Sequence, residues 1–162
     1  MEDQHLNYHS YLNLLRGALK VVEEDWQSAA NDLGITQAEQ HILWILFMEK
    51  KATMSKIAEL GLWDLSTVMQ IIKRLKSKQL VKTEKNENDL RVSYVTLTEK
   101  GAEIRKASSE KDHRFLQFIE HYGRSNQEFL EDFHSFLQTA NSRFHGENFV
   151  RWVEKTSDFS KQ

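Results

Sequence analysis

The chain has 162 residues, a formal net charge of −2, and neither cysteine nor proline. A hydrophobic fraction of 40% against 28% charged residues describes a globular chain able to bury a core, not a disordered one. The lack of cysteine excludes disulfides, thiolate metal sites and cysteine redox sensing, and the longest apolar run, residues 42–48, is too short to cross a bilayer. The opening residues are polar and acidic, with no signal peptide, so a cytoplasmic location is expected.

Residues from about His5 to Asn31 read as one long helix. Leu12, Leu15, Leu19, Val22 and Trp26 form a heptad-like seam, widened by Tyr8, Tyr11, Leu14, Ala18 and Val21. So wide a stripe serves either a partner chain or packing within the chain. Gly34 is placed to end the helix. Thr36 and Glu39 form a capping box for a second helix through His41 and Trp44. His41 is first a packed histidine and only second a ligand-sensing one.

Thr53 caps a short helix over residues 54–60, and Gly61 leads to Asp64, the N-cap of the next. This pair is a helix-turn-helix. In the second helix Leu65, Val68, Ile71, Ile72 and Leu75 mark a buried face. The other face carries Ser66, Thr67, Met69, Gln70, Lys73, Arg74 and Lys76. Hydroxyl and amide groups at its start can reach base edges, and cations further along can neutralise phosphates. A solvated surface helix would look the same.

Residues 80–85 and 91–98 alternate as strands around a turn at 86–89. Between Lys73 and Lys85 stand six cations and one acid, a basic patch on a slightly acidic chain. Thr98 caps a helix from Glu99 toward His121, and residues 122–125 break it. A last helical region carries Phe129, Phe133, Phe136, Leu137 and Phe144, is interrupted at Gly146, and resumes with Phe149, Val150, Trp152 and Val153. That aromatic load needs its own core or another subunit to cover it.

Asp89, Arg91, Val95, Leu97, Thr98 and Gly101 fill every fixed position of D-x-R-x-x-x-V-x-L-T-x-x-G. This resembles the wing signature of the MarR family of bacterial winged-helix regulators. Residues 53–59 and Ser66-Thr67-Val68 are similar to that family in spacing as well. Residues 24–27 and 39–45 resemble its protease-production (Hpr-like) branch. The resemblance implies a mainly α fold with a small β-wing. A winged helix-turn-helix over residues 35–101 would be flanked by dimerisation helices at 1–34 and 102–162.

It also implies a homodimeric, sequence-specific regulator of double-stranded DNA, most simply a repressor on a pseudo-palindromic operator. Ser66, Thr67, Met69, Gln70, Lys73, Arg74, Lys76, Lys85, Asp89 and Arg91 would be its DNA-binding residues. Arg91 would enter the minor groove and Asp89 would brace it. A narrow groove concentrates negative potential, and a held guanidinium loses less entropy there. Family members often bind small aromatic acids or phenols between the dimer and DNA-binding regions. Trp26, His41 and Trp44 would line such a crevice here, with core packing as their first use and an effector site as the second.

Two positions depart from the family. Gln79 replaces the glycine that often follows the recognition helix, so that turn is expected to lack an easy left-handed residue. Met69-Gln70 stands where an arginine is frequent, so base preference does not carry over.

An enzyme is disfavoured, because no phosphate loop, nucleophile elbow or H-E-x-x-H is present. Glu110/His113 and Glu131/His134 have E-x-x-H spacing but lack the further glutamates of a di-iron site. No metal or cofactor is expected. The alternative is a winged helix that serves only as a protein adaptor, which has no need of six clustered cations.

Overall fold

The computed structural model describes residues 7–157. The start of the first helix expected near His5 lies outside them. Helix α1 (Tyr8–Asp32) begins where Asn7 accepts the Ser10 N–H. It ends in a Schellman motif: Gly34, at φ 69°, donates to Asn31 and Ile35 donates to Ala30. Helix α2 (Gln37–Glu49) starts with the complete Thr36–Glu39 capping box. A two-residue strand β1 (Lys51–Ala52) follows, with no pattern in the sequence to announce it.

Helices α3 (Met54–Gly61) and α4 (Leu65–Ser77) form the helix-turn-helix, capped by Thr53 and Asp64. The left-handed residue of the intervening turn is Leu62, at φ 56°, not Gly61. Strands β2 (Val81–Lys85) and β3 (Ser93–Leu97) make the wing. They pair antiparallel with Thr83 opposite Val95, and β1 adds on the other side of β3 with Ala52 opposite Val95.

The expected helix from Glu99 toward His121 is two helices, α5 (Glu99–Ser109) and α6 (Arg114–Arg124). The Ser108 and Ser109 hydroxyls donate to the carbonyls of Arg105 and Lys106, competing with the helical ladder as it ends. The new helix is then fixed from outside. Asp25, buried on α1, accepts Arg114 Nε at 2.6 Å and the Phe115 N–H at 3.2 Å. The Arg114 hydrogen bond holds the Asp25 carboxyl below its usual range. Helices α7 (Gln127–His145) and α8 (Glu147–Ser157) meet at Gly146, φ 88°.

One core serves the winged-helix part. Ile42, Leu43, Ile45 and Leu46 of α2, Ile57 of α3, Val68, Ile71, Ile72 and Leu75 of α4, and Val95 of β3 are buried together. Trp152 of α8 packs against its edge, and its Nε1 donates to Glu49 at 2.9 Å. The flanking helices contrast with this. Helix α1 buries only Asp25, Ala29 and Ala30, while Leu12, Leu15 and Leu19 of the seam remain at least half exposed. Helices α7 and α8 bury no residue completely, and Phe136 and Phe144 stand in the open.

Candidate nucleic-acid interface

The amphipathic pattern of α4 decides its orientation. Val68, Ile71, Ile72 and Leu75 face the core, which leaves Ser66, Met69, Gln70, Lys73, Arg74 and Lys76 outward. Leu65, expected on the buried face, is 45% exposed, because it precedes the first full turn against the core.

The start of the helix is more committed than its sequence indicates. Asp64 accepts the Thr67 N–H at 2.8 Å, the Thr67 hydroxyl at 2.7 Å and the Ser66 hydroxyl. These donors hold its carboxyl far below the usual carboxylate range. Ser66 and Thr67 therefore have their single hydroxyl protons in use, and toward an incoming base edge they present lone pairs. Gln70, one turn on, carries both a donor and an acceptor on the exposed face.

The basic patch also divides. Arg74 and Lys78 turn toward Glu39, which is fully buried. Lys78 Nζ lies 2.7 Å and Arg74 Nε 3.6 Å from its carboxylate. Burial alone would raise the Glu39 pKa. The Lys78 hydrogen bond, the Thr36 N–H and the charges of Lys78 and Arg74 outweigh it and hold it below 4.5. Arg74, expected as a phosphate contact, thus spends part of its charge within the protein. Lys82 pairs with Glu84 at 2.6 Å, and Lys76 donates to Thr83 at 3.1 Å, tying α4 to the wing. Among the described residues Lys73 and Lys85 make no ion pair and stay exposed.

The wing is a held loop. Asn86 N–H donates to Val92 and Val92 N–H to Asp89, both at 2.9 Å. Asp89 also accepts the Arg91 N–H at 3.0 Å, Arg91 Nε at 3.0 Å and Arg91 Nη2 at 3.2 Å. The Arg91 hydrogen bond lowers the Asp89 pKa. The Arg91 side chain nevertheless remains 91% exposed.

The C-terminal part of the signature anchors the wing to α4. Thr98 donates its hydroxyl to the Gln79 carbonyl at 2.7 Å and its N–H to Leu80 at 3.1 Å, and its Oγ1 accepts the Gly101 N–H. A Cβ on Gly101 would lie 2.0 Å from the Leu80 carbonyl oxygen, so only glycine permits this approach. Gln79 corrects the expectation for its turn. It adopts the left-handed conformation despite its side chain, φ 62°, and a Schellman motif closes with Gln79 donating to Lys76 and Leu80 to Leu75.

Trp26, His41 and Trp44 do line one cleft, of about 570 Å³, between α1, α2, α5, α6 and α8. The His41 ring lies 6.1 Å from Trp26 and 5.3 Å from Trp63, and burial pushes its pKa down. Sequence reading missed the polar half of this cleft. Gln40 Oε1 and Arg105 Nε are buried without a hydrogen-bond partner among the described residues. Arg105 stacks 3.5 Å over Phe47, and Ser108 accepts Trp44 Nε1 at 3.2 Å. Trp44 and Ser108 are 64 positions apart, and no local pattern joins them.

Comparison with known proteins places this geometry. The family of SarA/Rot transcriptional regulators matches residues 26–108, just over half of the chain. The HTH-type transcriptional regulator Hpr of Halalkalibacterium halodurans is 34% identical over 114 residues, covering 70% of this chain and 54% of that one. The DNA-binding transcriptional repressor ScoC of Bacillus subtilis is 35% identical over 91 residues, 56% of this chain and 45% of that one. The chain thus spans about half the length of these curated relatives. In structure it is similar to a cysteine-to-serine mutant of MarR from E. coli complexed with operator DNA. The TM-score is 0.64 at 20% identity, over 78% of this chain and 96% of that one. The fold is the MarR-like winged helix, and the chain belongs to the SarA/Rot family of transcriptional regulators.

Proposed function

We propose that this chain binds double-stranded DNA sequence-specifically as a homodimer in the cytoplasm and represses transcription there. The observation that carries the reading is the pairing of an outward α4 face, with Gln70 and an exposed Lys73, and a wing whose exposed Arg91 is held by Asp89. Base edges, phosphates and a narrow groove each have a matching group. Two of the similar proteins, ScoC as a DNA-binding repressor and MarR in complex with operator DNA, support the same use here. No helix among the described residues is long and apolar enough to cross a membrane.

The exposed seam on α1 and the bare aromatics of α6 and α7 support residues 1–34 and 102–162 as the dimerisation region. Closed two-fold pairs are the commonest assemblies, and they bring two reading heads to one duplex. Removing the first 30 residues is then expected to weaken both association and DNA affinity. The cleft at Trp26, His41 and Trp44 is the place for a small aromatic effector, stacked on the indoles.

Selection of genomic fragments by the purified chain tests the reading. Enrichment of a shared pseudo-palindrome, with half-sites centred about 10–10.5 base pairs apart, is the expected result. Recovery of fragments without a shared sequence would contradict it, and retention of no DNA at all would favour the protein-adaptor use.

A further inference from the structure

Leu90 stands at the tip of the wing, 69% exposed, between Asp89 and Arg91. The rest of the tip, Asn86, Glu87, Asn88 and Asp89, is polar. A single exposed leucine is ordinary on a protein surface. This one differs in how its backbone is held. The N–H groups of Arg91 and Val92 on one side both bind Asp89, and Asn86 closes the loop onto Val92. An additional Asn86 side-chain bond to the Asn88 N–H, at 2.9 Å, fixes the other side. A side chain on such a turn makes a contact with little further ordering of the chain.

With Arg91 in the minor groove, as the DNA-binding reading on which this inference rests requires, its neighbour on the same held tip meets the walls or floor of that groove. The floor over A·T pairs offers only the acceptors adenine N3 and thymine O2, whereas G·C adds the guanine 2-amino donor. A leucyl side chain packs against sugar and adenine C2–H, and what it costs to cover the purine N3 and pyrimidine O2 acceptors is common to both pairs. Over guanine it covers the amino group and offers no acceptor, so a buried N–H is left unpaired. Insertion of apolar side chains into the minor groove is an established way to bind A·T-rich DNA.

We infer that Leu90 is a specificity-determining residue that rejects G·C pairs under the wing by stripping water from the guanine 2-amino group. Arg91 supplies attraction to the groove, and Leu90 supplies the penalty against the wrong pair.

The test uses the full chain and a 30-base-pair duplex selected by it from a random pool. The wing-facing pairs are found as minor-groove footprint lost in Arg91→Ala. They are then written as A·T, as G·C, or as inosine·C, which removes only the 2-amino group. Wild type is expected to bind the G·C duplex about tenfold more weakly than the A·T duplex, the scale of a single wrong pair, and inosine should recover most of that loss. Leu90→Ser should lower the G·C penalty at least about threefold, while Leu90→Ile keeps the wild-type ratio. An unchanged penalty in Leu90→Ser, or an inosine duplex as weak as the G·C one, overturns the inference and leaves the DNA-binding reading standing. A pool from which nothing is enriched overturns both.

Discussion

The carboxylate of Asp89 accepts both Nε and Nη2 of Arg91, at 3.0 and 3.2 Å, while the guanidinium stays open to solvent. An acid at a DNA interface should repel phosphates. On the proposed reading the same acid holds the cation that would meet the groove, so the two effects have opposite signs. We expect Asp89→Ala to weaken binding to the selected operator, reproducing part of the loss seen in Arg91→Ala. Titration of a fluorescent duplex reads this directly, and tighter binding by Asp89→Ala would show that repulsion dominates. Because the Asp89 pKa is lowered, the brace is fully formed above the ordinary carboxylate value of 3.8 and is lost only as pH falls below it.

Glu39 is the buried anchor of the basic patch. Its folded pKa lies below the ordinary 4.5, so its contribution to stability is fully present above that value and disappears as pH falls through the folded one. Glu39→Gln is expected to cost about 2 kcal/mol near neutral pH, the scale of hydrogen bonds to charged groups. The gap between wild type and variant should close as pH is lowered past 4.5, since a protonated glutamate resembles glutamine. Denaturant unfolding at a series of pH values checks both statements. A gap that widens in acid would refute the assignment. Arg74 and Lys78, released from Glu39, should also raise nonspecific DNA affinity in the variant.

Gln79 occupies a left-handed position that glycine takes without strain. Gln79→Gly should stabilise the chain by about 0.5–1 kcal/mol, the left-handed penalty less the extra freedom of an unfolded glycine. The bond from Thr98 to the Gln79 carbonyl involves the backbone and survives the change. Chemical denaturation measures the sign, and a loss of stability would mean that the glutamine side chain contributes more than its strain.

What the sequence made legible was local. Asp64, Thr53, Thr98 and the Thr36–Glu39 box each cap the helix expected of them, because a cap is decided within four residues. The wing signature placed Asp89 beside Arg91 for the same reason. Contacts made by distant residues stayed hidden. Asp25 fixes the start of α6 across 89 positions, and Trp152 reaches Glu49 across 103. The break between α5 and α6 was missed because residues 108–114 hold neither glycine nor proline to mark it, while the serines and Asp25 interrupt the backbone. The diversion of Arg74 toward Glu39, and of the Ser66 and Thr67 protons toward Asp64, likewise required side-chain geometry that spacing does not encode.

On the proposed reading the outward face of α4 reads sequence while its cations bind the backbone. Equilibrium titration of wild type, Gln70→Ala and Lys73→Ala, against the selected operator and a scrambled duplex at two salt concentrations, tests it most directly. Gln70→Ala is expected to lose about 1–3 kcal/mol on the operator and little on the scrambled duplex. Lys73→Ala is expected to weaken both alike and to reduce the salt slope by about one. Equal losses by Gln70→Ala on both duplexes, with a salt slope untouched by Lys73→Ala, would contradict the account.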